Sequence, residues 1–416
     1  MSFVKEIVSS PKTVTNIPSG QERLYSEYKI VKTNDKITIA IGFDGGSTSS
    51  RCSIADKTIF ADPKLKSLEK VYTIPSSHVE FLPEDKRVIR PQSERIIDLL
   101  DSTIVSPSES EFIDNARILR ATKMNDSKGE VSKIFSSQQK ISTKGFYYNL
   151  IDSICYGIVL KYSNKLPRQV DAYLCASLRP DDLEDETQRQ LFIKRLIGSY
   201  IWRNDELDVT LELNIKGVET TTESEAQIKG HYTHSKSQIP YCVMLIEGGG
   251  SSLGVSIIKD GALLKFCEKT FSYGGTKLCS ILDSEYRKKH GGSPLSQENL
   301  EHMLNTGVRK MGKTTINAVD PVKAAKDSLA HSIIKDIKEK IIDVQDAVRL
   351  EDVETVLFGG GLFRSGDFES DGYSLAIPCA KELKSVNPGL EFTTIARNQI
   401  PYYNLLTALK VFGGHL

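Results

Sequence analysis

Ile37–Ala55 reads ITIAIGFDGGSTSSRCSIA, and its order decides the fold. Ile37–Phe43 has the apolar content of a buried strand. Arg51–Ala55 is its expected hairpin partner, and Asp44-Gly45-Gly46-Ser47-Thr48 is the turn between them. About 200 residues later the pattern returns in LIEGGGSSLGVSII. There Cys242–Ile246 is a strand, Gly248-Gly249-Gly250-Ser251-Ser252 a turn, and Leu253–Ile258 the returning strand. An acid, Asp44 or Glu247, closes the first strand each time. This is an internal repeat of architecture, without the short period of a solenoid. A third element, Val353–Phe358, is a strand that ends in Gly359-Gly360-Gly361 before an expected helix start.

Hairpin turns rich in Gly, Ser and Thr leave backbone N–H groups unshielded, so they can wrap a phosphate, with hydroxyls as further donors. An acid just before the turn suits Mg²⁺ held through water, because magnesium dehydrates reluctantly. One such turn alone is an ordinary hairpin. Two of them, with the same acid placement and a strand–GGG element, form a constellation suited to a nucleoside triphosphate. Gly359, Gly360 and Gly361 let a nucleoside approach the backbone closely, and a following helix N-terminus favours phosphate oxygens.

The remaining chain bounds the function. Its 416 residues hold 54 Lys+Arg and 54 Asp+Glu, a net charge of zero. Without a global field, direct nucleic-acid binding is disfavoured as the main activity. No apolar run approaches the roughly 18 residues of a membrane span. Met1–Ser10 lacks a secretory core, and Phe3, Val4, Ile7 and Val8 with Lys5 make a poor membrane anchor, so no membrane association is expected. Cys52, Cys155, Cys175, Cys242, Cys267, Cys279 and Cys379 are odd in number, widely spaced and mostly in apolar segments. That pattern points to a reduced, cytoplasmic protein without zinc or a disulfide framework.

Periodicity places a helix over Lys144–Tyr162, a strand over Val170–Ala176, a helix over Thr187–Ile201 and a strand over Val209–Ile215. Short β-like pieces precede them at Val71–Ile74 and Val79–Leu82. The acidic run Asp181–Glu186 reads as a solvated helix start. Asp260-Gly261 turns the chain into Ala262–Phe266. A long helix after Pro321 carries Ala325, Leu329, Ile333, Ile337 and Ile341 on one stripe, and a last helix runs from about Tyr402.

The segments FDGGST, LIEGGGSSLG and VLFGGGLFRS resemble the phosphate 1, phosphate 2 and adenosine motifs of the actin/sugar kinase/DnaK-type chaperone superfamily. Within it, Lys144–Gly230 resembles the ParM family of plasmid-partition actins, through VDAYLCASLRP, QRQLFIKRLI and ELNIKGVETTTESEA. The resemblance covers roughly Ile37–Leu416. It implies an α/β actin-like fold of two ribonuclease H-like domains with a nucleotide cleft between them. The domains are residues 37–240, completed by a C-terminal helix over 401–416, and residues 241–400, after a polar N-terminal extension over 1–36.

By the same resemblance, Asp44 organises the metal, and Gly45, Gly46, Ser47 and Thr48 form the first phosphate turn. Gly248, Gly249, Gly250, Ser251 and Ser252 form the second. Glu223 polarises the attacking water, with Glu225 as its close rival. Gly274-Gly275 is the connecting segment near the nucleoside, and Gly359–Gly361 belong to the adenosine motif. Glu247 replaces the usual aspartate of phosphate 2 and is one methylene longer, so metal or water geometry must adjust. The implied activity is hydrolysis of ATP or GTP with Mg²⁺, coupled to head-to-tail self-assembly into filaments. These would segregate plasmid DNA through a separate DNA-binding adaptor. The alternatives are another bacterial cytoskeletal actin, or a small-molecule kinase or polyphosphatase of the same superfamily.

Two motif matches fail on context. Gly307–Thr314 (GVRKMGKT) fits the P-loop pattern, but a helix-like polar stretch precedes it where a buried strand is required. Gly250–Gly254 (GSSLG) fits the hydrolase nucleophile pattern, but a strand follows where a helix is required.

Overall fold

The computed structural model describes residues 30–45, 49–56, 71–75, 78–81, 100–106, 113, 115–120, 140–183, 185–205, 207–250, 252–312, 314–342, 348–363, 374–395 and 399–416. The chain divides into two compact units, residues 1–230 with 398–416, and residues 231–397.

The first unit begins with β1 (Lys36–Gly45), β2 (Ser49–Asp56), β3 (Tyr72–Pro75), β4 (His78–Phe81), β5 (Leu100–Val105) and β6 (Ala116–Arg120). Helix α1 (Lys144–Tyr162), β7 (Gln169–Leu178), α2 (Pro180–Leu183), α3 (Glu186–Leu196), β8 (Gly198–Asn204) and β9 (Val209–Thr222) follow. The nine strands form one sheet in the order β3-β2-β1-β7-β9-β8-β5-β6-β4. β1 is antiparallel to β2 and parallel to β7, which is parallel to β9.

Helix α1 is buried all round from Gly145 to Leu160, which suits apolar residues on each of its faces. Its polar side chains are met inside: Asn149 Nδ2 donates to Ser50 Oγ at 2.6 Å, and Trp202 Nε1 donates to Asp152 Oδ1 at 2.7 Å. Residues at the end of the expected extension pair with the segment after α1, Val31 N donating to Ser163 O and Thr33 N to Leu166 O. Residues 1–29 lie outside the described residues.

Helix α4 (Glu223–Ser235) leads into the second unit. There β10 (Cys242–Gly248), β11 (Leu253–Lys259), β12 (Ala262–Leu263), β13 (Lys269–Phe271), α5 (Gly275–His290), α6 (Gln297–Thr306), β14 (Val308–Met311) and β15 (Thr314–Asn317) come first. They are followed by α7 (Val319–Ile337), β16 (Thr355–Gly359), α8 (Ala376–Lys384) and β17 (Glu391–Thr394). The main sheet runs β12-β11-β10-β16-β17, with β13 also on β11. β10 is antiparallel to β11 and parallel to β16, which is parallel to β17. The five strands β3-β2-β1-β7-β9 therefore have a counterpart in the second unit with the same relative directions. Ala325, Leu329, Ile333 and Ile337 of α7 are buried in this unit's core beside Met244, Ile246 and Phe358. The chain returns to the first unit as α9 (Gln399–Phe412), whose Leu405 and Ala408 pack with Ala40 and Cys175.

Three sequence expectations change. The helix expected over Thr187–Ile201 ends at Leu196, and β8 takes over from Gly198. Tyr200, Trp202 and Asn204 are buried at period two, and antiparallel pairing with β9 outweighs the local helical spacing. Asp182, expected on a solvated helix start, is buried, whereas Asp185 caps α3 by accepting from Thr187 N at 2.8 Å. The strand expected over Ala262–Phe266 stops at Leu263 and becomes a 3-10 turn at Lys265–Cys267, which buries Cys267. Gly361–Phe363 form a 3-10 turn, with Leu362 and Phe363 packed into the core against Gly248 and Phe358, and the expected helix start beyond Phe363 lies outside the described residues. The two rejected motifs are also placed. Gly307 ends α6 in the left-handed region (φ 68), and Leu253–Lys259 is a strand.

Candidate functional site

In the first unit, Asp44 lies at the end of β1, opposite Arg51 on β2 and Ser177 on β7. Its side chain is fully buried, and Arg51 Nη1 donates to its Oδ2 at 3.3 Å. The preceding carbonyl, Phe43 O, accepts from Ser177 Oγ at 3.3 Å and from Asn404 Nδ2 at 2.8 Å. A Cβ at Gly42 would meet Pro401 O at 2.0 Å, so the glycine lets α9 lie directly on β1. Gly45 closes the strand, with the Phe146 ring 2.8 Å from where a Cβ would stand. Gly46, Ser47 and Thr48 lie outside the described residues.

Strand β9 ends at Thr222, which acts as the α4 N-cap: its Oγ1 accepts from Glu225 N at 3.1 Å. Thr222 and Glu225 thus stand at the two ends of a T-x-x-E capping-box spacing. Glu225 Oε1 also holds Lys229 Nζ at 2.5 Å. Burial pulls the Lys229 ammonium down, and the bond and charge of Glu225 outweigh it, leaving its pKa above the ordinary lysine value. Glu223, the first residue of α4, is half-buried at the helix start, outside that ion pair. Just upstream, Arg189 of α3 donates from Nη2 to Glu219 Oε1 at 2.5 Å and from Nε to Thr220 Oγ1 at 2.8 Å.

In the second unit the turn is built from backbone. Gly249 N donates to Ser252 O at 2.8 Å, closing it. The first amides of α5 then grip it from the side: Gly275 N donates to Gly249 O at 3.0 Å, and Thr276 N to Gly250 O at 2.9 Å. Thr276 Oγ1 adds a second bond to Gly250 O at 3.1 Å. Gly274, extended and buried, is the α5 N-cap. The start of α5 therefore lies against the Gly248–Ser252 turn, its first amides bonded to turn carbonyls.

Glu247 pairs with Gly359 across β10 and β16. Gly360 has φ +81, and a Cβ there would lie 2.3 Å from Gly248 O, so the glycine loop after β16 and the end of β10 touch through backbone. Around Gly250 and Gly361 an added Cβ meets nothing within 4 Å, which leaves those backbones open to an incoming group. Ser251 lies outside the described residues.

The two hairpins share one register. Asp44 faces Arg51 and Glu247 faces Gly254, each pair closing the same seven-residue separation. They differ in charge, since the first puts a guanidinium opposite its acid and the second a glycine. Reading the sequence missed Arg51, Ser177, Asn404 and Arg189. Only Asn404 carries a local signal, a lone amide inside the apolar stretch YYNLLTAL. It is fully buried.

No protein-family model matches the sequence, and no curated protein does. Solved structures do match. An apo psk41 ParM is similar over 92% of this chain and 100% of its own, at 11% identity and a TM-score of 0.59. The Alp12 filament structure is similar over 91% and 100%, at 13% identity and a TM-score of 0.55. Bacillus thuringiensis ParM with ATP is similar over 90% and 99%, at 13% identity and a TM-score of 0.56. The chain has the actin-like fold.

Proposed function

We propose that this protein is an actin-like nucleoside triphosphatase whose nucleotide-bound copies polymerise into dynamic filaments that segregate plasmid DNA. The observation that carries the reading is the recurrence, in each unit, of a strand, an acid, a Gly/Ser turn and a returning strand in the same register. ATP in one ParM of the same fold and the filament formed by Alp12 support nucleotide binding and self-assembly.

Each hairpin turn is assigned to phosphate oxygens, through backbone amides of Gly45–Thr48 and of Gly248–Ser252 other than that of Gly249, which closes its own turn. The acids fit Mg²⁺ held through water: Asp44 is buried against a cation at a strand end, and Glu247 stands beside an open glycine turn. The ion, when bound, neutralises charge on the phosphate oxygens. Arg51, paired with Asp44 across the hairpin, can pass to a phosphate oxygen. Gly359–Gly361 give the nucleoside a flat backbone to lie on.

Glu223 orients the water for in-line attack on the γ-phosphate, accepting its proton's hydrogen bond. The ion pair of Glu225 with Lys229 supports giving that task to Glu223, with Glu225 as the alternative. Hydrolysis is slow, because a single carboxylate orients the water and Arg189 is committed to Glu219. Slow hydrolysis suits a filament that must persist before it disassembles. The balanced charge of the chain suits a cytoplasmic motor that leaves DNA contact to a separate adaptor.

The test is right-angle light scattering of the purified protein with Mg²⁺ and ATP or GTP, with phosphate release followed in parallel. A rise above a critical concentration that decays as phosphate appears supports the reading and identifies the base. Flat scattering with tight nucleotide binding rejects the filament and directs the search to sugar and polyphosphate substrates.

A further inference from the structure

Resting on the nucleotide-hydrolysis reading above, we infer that Asn404, on the C-terminal helix, is a positioning residue that holds Asp44 and Glu223 at a fixed separation. Its amide joins two strand ends that are not neighbours. Asn404 Nδ2 donates to Phe43 O, the carbonyl immediately before Asp44, at 2.8 Å. Thr221 Oγ1, at the end of β9, donates to Asn404 Oδ1 at 2.7 Å. Thr221 stands two residues before Glu223.

The sheet register explains why such a bridge matters. Asp44 pairs laterally with Ser177, and Ser177 pairs laterally with Thr221, so the three form one row across β1, β7 and β9. Asp44 and Thr221 are therefore two strand spacings apart, about 10 Å. Past this row the ladders end: β1 stops at Gly45 and β9 at Thr222. Strand ends without further ladder bonds splay readily, and the two acids sit just where the ladder gives out. Asn404 spans the row from beneath, with Ser177 Oγ meeting the same Phe43 carbonyl at 3.3 Å.

The bridge is itself rigid. Asn404 is fully buried, and its helix lies against β1 backbone to backbone, since a Cβ at Gly42 would fall 2.3 Å from Leu405 N. A planar amide with one donor and one acceptor engaged tolerates little change in the distance between its partners. Productive attack on a phosphoryl group is sensitive to displacements of about 1 Å. A buried amide that sets the acid-to-acid separation thus acts on the rate of hydrolysis more than on affinity.

Thr221→Val tests this, because it removes the hydroxyl while keeping shape and leaving the Asn404–Phe43 bond in place; Thr221→Ser restores the donor, and Asn404→Leu removes both bonds. Melting temperature, affinity for a fluorescent Mg²⁺–nucleotide and single-turnover phosphate release are measured for each. The expected result is T221V with a melting temperature lowered by only a few degrees, because the buried amide oxygen loses its donor, affinity within about twofold, phosphate release slowed about tenfold, and parental release in T221S. Unchanged release in T221V overturns the inference. So does a loss shared equally by affinity, melting and rate, which marks general loosening. A parental protein that neither binds nor hydrolyses ATP or GTP is a different result, which rejects the nucleotide reading and the role of Asn404 together.

Discussion

Arg51 and Asp44 face each other across the first hairpin, with Arg51 Nη1 3.3 Å from Asp44 Oδ2 and the carboxylate wholly buried. Removing the guanidinium leaves that charge in the interior with less compensation. Arg51→Met is expected to destabilise the protein by about 3 kcal/mol, measured by urea denaturation. It is also expected to weaken nucleotide binding at least tenfold by fluorescence titration, while Arg51→Lys retains most of both. Parental affinity in R51M would remove Arg51 from the phosphate site.

Gly360 and Gly250 make a contrasting pair. At Gly360 the left-handed backbone and the 2.3 Å approach of Gly248 O both oppose a side chain. Gly360→Ala is expected to cost about 2 kcal/mol or more and to lower the melting temperature. At Gly250 nothing stands within 4 Å of an added Cβ, so Gly250→Ala is expected to keep stability within about 0.5 kcal/mol. Its added methyl faces the open side of the turn and is expected to weaken nucleotide binding. The two scans, thermal and binding, separate the scaffold glycine from the contact glycine.

Glu223 and Glu225 separate by kinetics. Glu223→Gln is expected to slow phosphate release by about 10²-fold or more with little change in affinity. Glu225→Gln keeps a residue that can complete a capping box and gives up only a partly exposed ion pair with Lys229, worth under about 1 kcal/mol. Its hydrolysis rate is expected to stay near the parental one. The reverse order of effects would move the water-orienting role to Glu225.

All seven thiols are buried, and burial raises each of them. Cys52 is pushed up to about 12, and Cys242 and Cys267 to about 11, from an ordinary value of 9.0. Because the folded values lie above the unfolded one, the stability from neutral thiols is complete below about pH 9. It is lost as pH rises from there toward 11–12. Urea midpoints are therefore expected to fall between pH 8 and pH 10.5. An aromatic disulfide reagent at pH 8 is expected to label the thiols only after denaturant is added. Rapid native labelling would contradict the packing.

The hairpins were legible because their signal is local. An apolar run, an acid and a Gly/Ser turn specify a strand pair within about 20 residues, and both pairs formed with the acids at matching positions. Asp260-Gly261 turned as its chemistry demands, with φ of 51 and 73. LFIKRLIGSYIW was illegible because its apolar spacing suits either period, and only pairing with β9 makes its second half a strand. Nothing local signals where the first amides of α5 bind, because the carbonyls they meet, those of Gly249 and Gly250, are more than 20 residues away in the chain.

The sequence by itself determined the repeat of hairpin architecture and the acids at its strand ends, because turn chemistry and apolar periodicity act between near neighbours. Tertiary structure alone decided which side chains hold those acids. Arg51 became the partner of Asp44 through strand register. Asn404 came under Phe43 and Thr221 only when the C-terminal helix closed over the sheet, an encounter across as many as 361 positions. No local pattern encodes such a meeting; it follows from which buried surfaces find one another, and a buried amide is stable there only because both of its partners are in place.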